Sequence, residues 1–400
     1  YSQSLTPADI YDYDMSSISK WWGRNYPIED HFLMVGGSPG LRAIQMEKGR
    51  NDRDFTVWDG NLSGLADSSH RLKLPQNSQF SPTRLERWAT CPFRYFLNDV
   101  IGISVLERPE EVIAISPLDR GSLLHRIMER LVKDSRDQEC IPDFGKPWNQ
   151  SHKDLLLQIA EEEFFEVEKS GVTGRPMLWD ITKKEMRLEL QALLEHDSRW
   201  RAQEQSRPIW VERAFGFNRD NSLPAVILTL NNGSCLHLRG IIDRVDENKS
   251  RSKINIVDYK FGSSYQYSDM RDDPLGGGRH LQLPVYAMAV RNAIEESEEV
   301  TASYWFATAK GKYEMKAIAL NEVEQRFVII IETIVSGIEE GLFPANPLSL
   351  DNRIDNCRYC DFDRICPANR DLHWERKSQN SNMATYLKLG RLDTEEEANA

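Results

Sequence analysis

The chain has no apolar run approaching the roughly 20 residues that a bilayer-crossing helix needs, so no membrane partner is expected. No Gly-rich loop ending in Gly-Lys-Ser/Thr occurs, which leaves it without a recognisable ATP motor. Basic residues are not in excess: Lys and Arg number 50 against 62 Asp and Glu, a net charge of −12. That balance weighs against a nucleic-acid partner, because phosphate binding rewards basic surfaces. The surplus acid is localised, however, in Glu161-Glu162-Glu163, in the run from Glu295 to Glu299 and in Glu395-Glu396-Glu397, which read as solvated helix faces and a loose end. An acidic chain can still hold a basic groove. Cysteine is sparse too. Six occur, four of them in a metal-like arrangement, so a disulfide framework is excluded and a reducing cytoplasm is expected. Cys140 and Cys235 have no ligand-type neighbours and read as small, partly buried thiols. The first residue is Tyr1 rather than Met, as expected of a piece of a longer polypeptide.

What is present is enough for a packed α/β chain of one large domain or two ordinary ones: 400 residues, 40% hydrophobic. The stretch from Gly240 to Gly262 organises it. Ile241-Ile242 and the run from Ile254 to Val257 flank a charged connection from Glu247 to Lys253, which predicts a β-hairpin with a loose turn. Each run ends in an acid, Asp243 and Asp258. Strand side chains alternate, so Asp258 and Lys260 share a face while Tyr259 points to the other. Two carboxylates on neighbouring strands can hold a hard divalent cation and leave an ammonium beside it, as phosphodiester cleavage requires. An isolated Asp-x-Lys is more often a charge pair at a sheet end, and its neighbours must decide.

The flanking sequence supplies those neighbours. Ser81-Pro82 marks a helix start, with a hydroxyl cap and proline at the first position, and Pro92 should bend or end that helix at Cys91. In the helix after Gly121, His125 lies at the border of an apolar stripe formed by Leu123, Leu124, Ile127, Met128 and Leu131. A border residue can look into a cleft. Two charge-rich helices are predicted over about 148–201, then strands over 208–217 and 225–230, with Leu236 to Asp243 as the hairpin's first arm. Glu212 alternates with apolar neighbours on its strand, which leaves two readings: a side chain toward the metal side or, as expected here, a member of a surface ion pair. A helix over about 280–294 places Gln282 and Tyr286 four apart on one face. Phe55 to Gly60 predicts a short strand into a turn. Near the end, Cys357, Cys360 and Cys366 cannot complete four-coordination alone, and Cys91 is the natural fourth ligand. Structural zinc takes two close pairs, so one distant thiolate plus a trio fits an iron–sulfur cluster better than zinc. Joining Cys91 to the trio closes most of the domain into one loop, worth up to roughly 5 kcal/mol.

These motifs, in this order, resemble the RecB-like branch of the PD-(D/E)XK nucleases, and most closely the C-terminal iron–sulfur nuclease domain of AddB-type helicase–nuclease subunits. The resemblance covers about 81–367. It rests on Ser81-Pro82-Thr83-Arg84-Leu85-Glu86, Cys91-Pro92-Phe93-Arg94-Tyr95-Phe96, Gly121-x-x-x-His125, Gly240-Ile-Ile-Asp243-Arg244-Val-Asp246, Asp258-Tyr-Lys260, Gln282-x-x-x-Tyr286 and the Cys trio. It implies a PD-(D/E)XK core, a mixed central sheet flanked by helices. His125, Asp243, Asp258 and the Tyr259 carbonyl are then expected to hold Mg2+, or Mn2+. Lys260 would orient or deprotonate water, and Gln282 and Tyr286 would touch the DNA backbone or support Lys260. Cys91, Cys357, Cys360 and Cys366 would hold a [4Fe-4S] cluster. The expected activity is a DNA exonuclease in double-strand-break repair and recombination, acting on a single strand or duplex end beside a helicase–nuclease partner subunit. Residues 1–80 are expected as the end of a preceding helicase-like region, 81–370 as the nuclease domain and 371–400 as a flexible tail. The rivals are an inactive cluster-stabilised DNA-end-binding module, a stand-alone four-cysteine exonuclease and a zinc-stabilised structural protein.

Overall fold

The computed structural model describes residues 20, 39–64, 79–104, 112–294, 297–348, 355–358 and 360–390. The elements in order are α1 (Pro39–Asn51), β1 (Gln79–Phe80), α2 (Pro82–Thr90), α3 (Pro92–Tyr95), α4 (Pro117–Asp137), α5 (Gln150–Ser170), α6 (Pro176–Glu204), β2 (Ser206–Phe215), β3 (Val226–Thr229), β4 (Cys235–Leu238), β5 (Gly240–Asn248), β6 (Lys253–Lys260), α7 (Gln282–Ala293), β7 (Glu299–Phe306), β8 (Met315–Ala319), α8 (Leu320–Glu339), α9 (Arg370–Lys377) and α10 (Ala384–Lys388). No described helix is long and apolar enough to cross a membrane.

A five-stranded mixed sheet, ordered β2-β5-β6-β7-β8, forms the centre, with only the β6–β7 pair parallel. Alternation along its strands feeds two cores. Ile254, Ile256, Tyr304 and Phe306 face α2, α7 and α8. Val257, Tyr259, Trp305 and Ala307 face α4, α5 and α6. The expected hairpin is there, but its first arm is not continuous. Residues 235–238 leave it to join the small sheet β1-β4-β3, and β5 starts afresh at Gly240. Phe55 to Gly60 forms a 3-10 turn instead of a strand, because Thr56 and Asp59 cap one another's backbone.

Beneath the sheet, α6 is tied to β5 and β6 by ion pairs removed from water. Arg244 donates to both Asp246 oxygens (2.6 and 2.7 Å), to Asp197 Oδ1 (2.5 Å) and to the Tyr259 hydroxyl (3.0 Å). Arg201 donates to Asp197 Oδ2 at 2.9 Å and lies over the Trp148 ring. Against the burial that raises it, Arg244 and Arg201 hold Asp197 below the usual carboxylate range. At the other end, α2 stops at Thr90, Cys91 turns extended and α3 begins at Pro92, as the proline predicts. The open carbonyls there are satisfied from the C-terminal segment: Tyr386 Oη donates to Ala89 O (3.0 Å), and Asn356 Nδ2 to Thr90 O (3.1 Å).

That segment is not the loose tail expected after residue 370. Met383, Tyr386 and Leu389 are buried in the first core, with Tyr386 edge-on to Trp88. Lys377 Nζ donates to Gly49 O (2.8 Å), Asp54 O (2.6 Å) and Asp59 (2.8 Å), anchoring residues 49–59 as well. Residues 391–400, with Glu395-Glu396-Glu397, lie outside the described residues, as do Glu295 and Glu296. Removing Asp197 would leave Arg244 and Arg201 short of a buried counter-charge. Asp197→Ala is therefore expected to cost about 3–5 kcal/mol in urea unfolding, and a loss under about 1 kcal/mol would show the network to be dispensable.

Candidate active site

The β5–β6 ladder runs from Glu247↔Ile254 to Arg244↔Val257 and stops. One position further on, Asp243 and Asp258 face each other where the strands part. The Asp243 carboxylate takes the hydrogen bond that the ladder no longer supplies: the Tyr259 N–H donates to its Oδ2 at 2.7 Å. From the opposite layer, α4 brings His125 Nδ1 to 3.3 Å from the same oxygen. Lys260 Nζ lies 2.5 Å from Asp258 Oδ2 and donates to Gln282 Oε1 at 2.8 Å, over the face of Tyr304. Tyr286, one turn along α7 from Gln282, lies within the field of the same acids. Gly240 makes room for it, since a Cβ there would come within 2.9 Å of the Phe215 ring and 3.1 Å of the Tyr286 ring.

Two further residues stand here, one for which a surface ion pair was the favoured reading and one given no role. Glu212 is in no surface ion pair among the described residues, and one oxygen of it lies within 4.8 Å of ligand atoms of both His125 and Asp243. The register from Val211↔Arg244 to Arg213↔Ile242 sets it opposite Asp243, so the metal-side alternative is the one realised. Glu86 of α2 accepts the N–H groups of Leu281 (2.7 Å) and Gln282 (3.1 Å), capping α7 with a carboxylate from another helix. A signal for it existed: Glu86 falls at helical spacing from the buried Pro82 and Ala89.

The site carries more negative charge than it neutralises. Burial, then repulsion from Asp258 and Glu212, pushes Asp243 well above the carboxylate range. Burial and the nearby acids Glu129 and Asp258 push Glu212 up to about 7, and burial does the same for Glu86. Burial, then the carboxylates of Asp258, Asp243, Glu86 and Glu212, raises Tyr286. Burial lowers His125 and favours the neutral imidazole that coordinates metals. Burial alone would lower Lys260, but Asp258 more than offsets that and keeps it an ammonium. Asp258 Oδ2 is buried without a well-angled hydrogen bond, although the ammonium is close. A carboxylate held by a single ammonium, two further acids that resist ionisation and a neutral histidine are a donor set suited to a hard cation.

Cys91, Cys357, Cys360 and Cys366 line one cavity with Phe93, Asn346 and Arg370. Burial raises Cys91 and Cys357 and pushes Cys366 up to about 12, and repulsion between the thiolates adds to each.

Among known proteins, the family model described as the PD-(D/E)XK nuclease superfamily matches residues 79–367. A protein of Clostridium tetani, named as one of the subunits of an ATP-dependent helicase/deoxyribonuclease, is 28% identical over 251 residues, 59% of this chain and 20% of that protein. Its namesake from Caldanaerobacter subterraneus subsp. tengcongensis is 26% identical over 297 residues, 73% of this chain and 24% of the relative. A third, from Clostridium acetobutylicum, is 29% identical over 242 residues, 57% of this chain and 19% of its own length. The chain thus spans about a fifth of the curated relatives it matches.

Between pH 4.5 and about 7 the folded chain keeps protons on Glu212 and Glu86 that the unfolded chain releases. This contribution to stability is complete below 4.5 and is lost as pH rises through about 7. Glu212→Gln should accordingly raise the melting temperature in EDTA more at pH 8 than at pH 5. An equal shift at both values would contradict the crowding of charge.

Proposed function

Because this chain belongs to the PD-(D/E)XK nuclease superfamily, we propose that it is a metal-dependent DNA exonuclease. On this reading it is the nuclease part of a cytoplasmic helicase–nuclease complex in double-strand-break repair and recombination. The observation that carries the reading is the convergence of His125, Glu212 and Asp243 beside the Asp258–Lys260 pair. The names of the curated relatives support the helicase partnership and the DNA substrate.

His125, Asp243 and Asp258 would hold Mg2+ or Mn2+ with the Tyr259 carbonyl, and Glu212 is a further ligand candidate. When bound, such a cation makes water a better nucleophile at neutral pH and offsets the charge of the phosphate. The remaining work falls to side chains already in place. Lys260, an ammonium in the resting site, orients water and faces the charge that builds on phosphorus; it is not poised as a base. Gln282 holds that ammonium in position, and Glu86 holds the turn that carries Gln282. Tyr286 lies where a hydroxyl can reach the scissile phosphate or Lys260.

We assign the cysteine cavity to a [4Fe-4S] cluster. Four partly buried cysteines around one cavity fit a metal centre, and the distant Cys91 fits a clasp. Tyr386, Asn346 and Asn356 hold α2 against this clasp.

In a cleavage assay on labelled DNA with Mg2+, Asp258→Ala should lose more than roughly a hundredfold in rate, since even residues behind a metal ligand cost 10–100-fold. DNA binding should persist. Unchanged cleavage in the variant would remove Asp258 from the assignment, whereas DNA binding without Mg2+-dependent cleavage in the parent chain would leave an end-binding module as the better reading. Protein purified without air should carry iron and a brown absorbance that Cys366→Ser abolishes, whereas zinc in place of iron would refute the cluster.

A further inference from the structure

A second cavity lies between the cysteine centre and Lys260. Its volume is about 230 Å³, against roughly 10–15 Å³ for a single water. Arg94 of α3, Arg279 and His280 before α7, and Gln266 and Tyr267 of the 3-10 segment Ser264–Arg271 contribute to its wall.

The polar groups on this wall exceed their partners. Arg279 gives Nε to Gly276 O (2.8 Å) and Nη2 to Asp269, which leaves Nη1 buried and unpartnered. His280 is only 5% exposed, its Nε2 is 3.5 Å from Asp269 Oδ1, and its Nδ1 is buried without a partner. Arg94 Nη2 stands 3.5 Å from Asp361, long for a charged pair. The acid on the wall, Asp355, is turned to the backbone: its Oδ1 accepts the N–H groups of Cys357 (2.8 Å) and Arg358 (3.2 Å). A cavity with buried, unspent guanidinium and imidazole nitrogens favours an anion.

Its position relative to the reacting centre says which anion. The Tyr267 ring stacks on His280 at 4.8 Å and meets Tyr304 edge-on at 4.9 Å, and Lys260 Nζ lies 4.8 Å from the Tyr304 ring centre. The cavity is therefore one aromatic layer from Lys260. Next to Gln266, Tyr265 is 67% exposed and offers a face on which a base can stack.

We propose that this cavity is a second phosphate subsite. It grips the backbone of the DNA strand beside the scissile bond, so that the strand passes from Lys260 over Tyr267 to Arg279 and Arg94. The inference rests on the nuclease reading and adds a path for the substrate.

The test is binding of a fluorescent single-stranded DNA oligomer to the full chain in EDTA, titrated with salt. Arg279→Gln should weaken low-salt binding about tenfold, the worth of one hydrogen bond to a charged group. It should also reduce the slope of log affinity against log salt by about 0.7, the share of one single-strand phosphate contact. Gln266→Glu, at an exposed position that leaves the fold intact, should weaken low-salt binding and leave high-salt binding unchanged. If Arg279→Gln fails to fold, Gln266→Glu decides. Wild-type affinity and slope in the folded variants, with Mg2+-dependent cleavage intact in the parent chain, would overturn the subsite and spare the nuclease. A parent chain that neither binds nor cuts DNA would overturn both.

Discussion

At the parted end of β5 and β6, Asp243, Asp258 and Glu212 lie close enough to repel one another, and the surrounding protein must hold them there against that repulsion. Left alone, three such groups would separate or take up protons. Separation is blocked by the sheet, since two of the acids come from adjacent strands and Glu212 from the next strand out. Protonation is what remains, and burial with the neighbouring acids raises Asp243 and Glu212 accordingly. On the proposed reading the same crowding is what a small, doubly charged ion would relieve.

Tyr259 couples this pocket to the rest of the molecule. Its N–H fixes Asp243, its hydroxyl accepts from Arg244, and its ring belongs to the core on the far side of the sheet. A shift of α6 would pass through Asp197 and Arg244 to Tyr259, and so to the residues on either side of it, Asp258 and Lys260. Buried ion pairs add little net stability, yet they specify one arrangement of charges. Here that arrangement is the registry of a helix against the strands that bear the acids.

A single helix joins the two centres. Glu86 sits on α2 and caps the turn that carries Gln282, and α2 ends at Cys91, which lines the cysteine cavity. The C-terminal segment closes over that junction through Tyr386 and Asn356. On the proposed reading, losing the cluster would loosen the hold of α2 on α7, and with it the position of Gln282 against Lys260. The cavity lined by Arg94 and Arg279 lies between the same elements.

Asp243, Asp258, Lys260, His125 and the pair Gln282 and Tyr286 were legible in the amino-acid order, because each is placed by a local period: two along a strand, 3.6 along a helix. The kink at Cys91 was legible from Pro92. The cysteine trio declared a missing ligand by its own incompleteness. Glu212 was visible as an alternating strand residue, but an isolated acid on a strand is more often part of a surface ion pair, and only the neighbours that the fold brings to it decide otherwise. The end of β4, the start of β5 in a different sheet, and the burial of the segment after residue 370 escaped for another cause. Strand partners and docking faces depend on residues hundreds of positions away, and no local pattern records them. The sequence alone determined which side chains could serve; the tertiary structure decided which ones meet, because convergence depends on the packing of whole layers, whereas periodicity is set by the backbone of a few neighbouring residues.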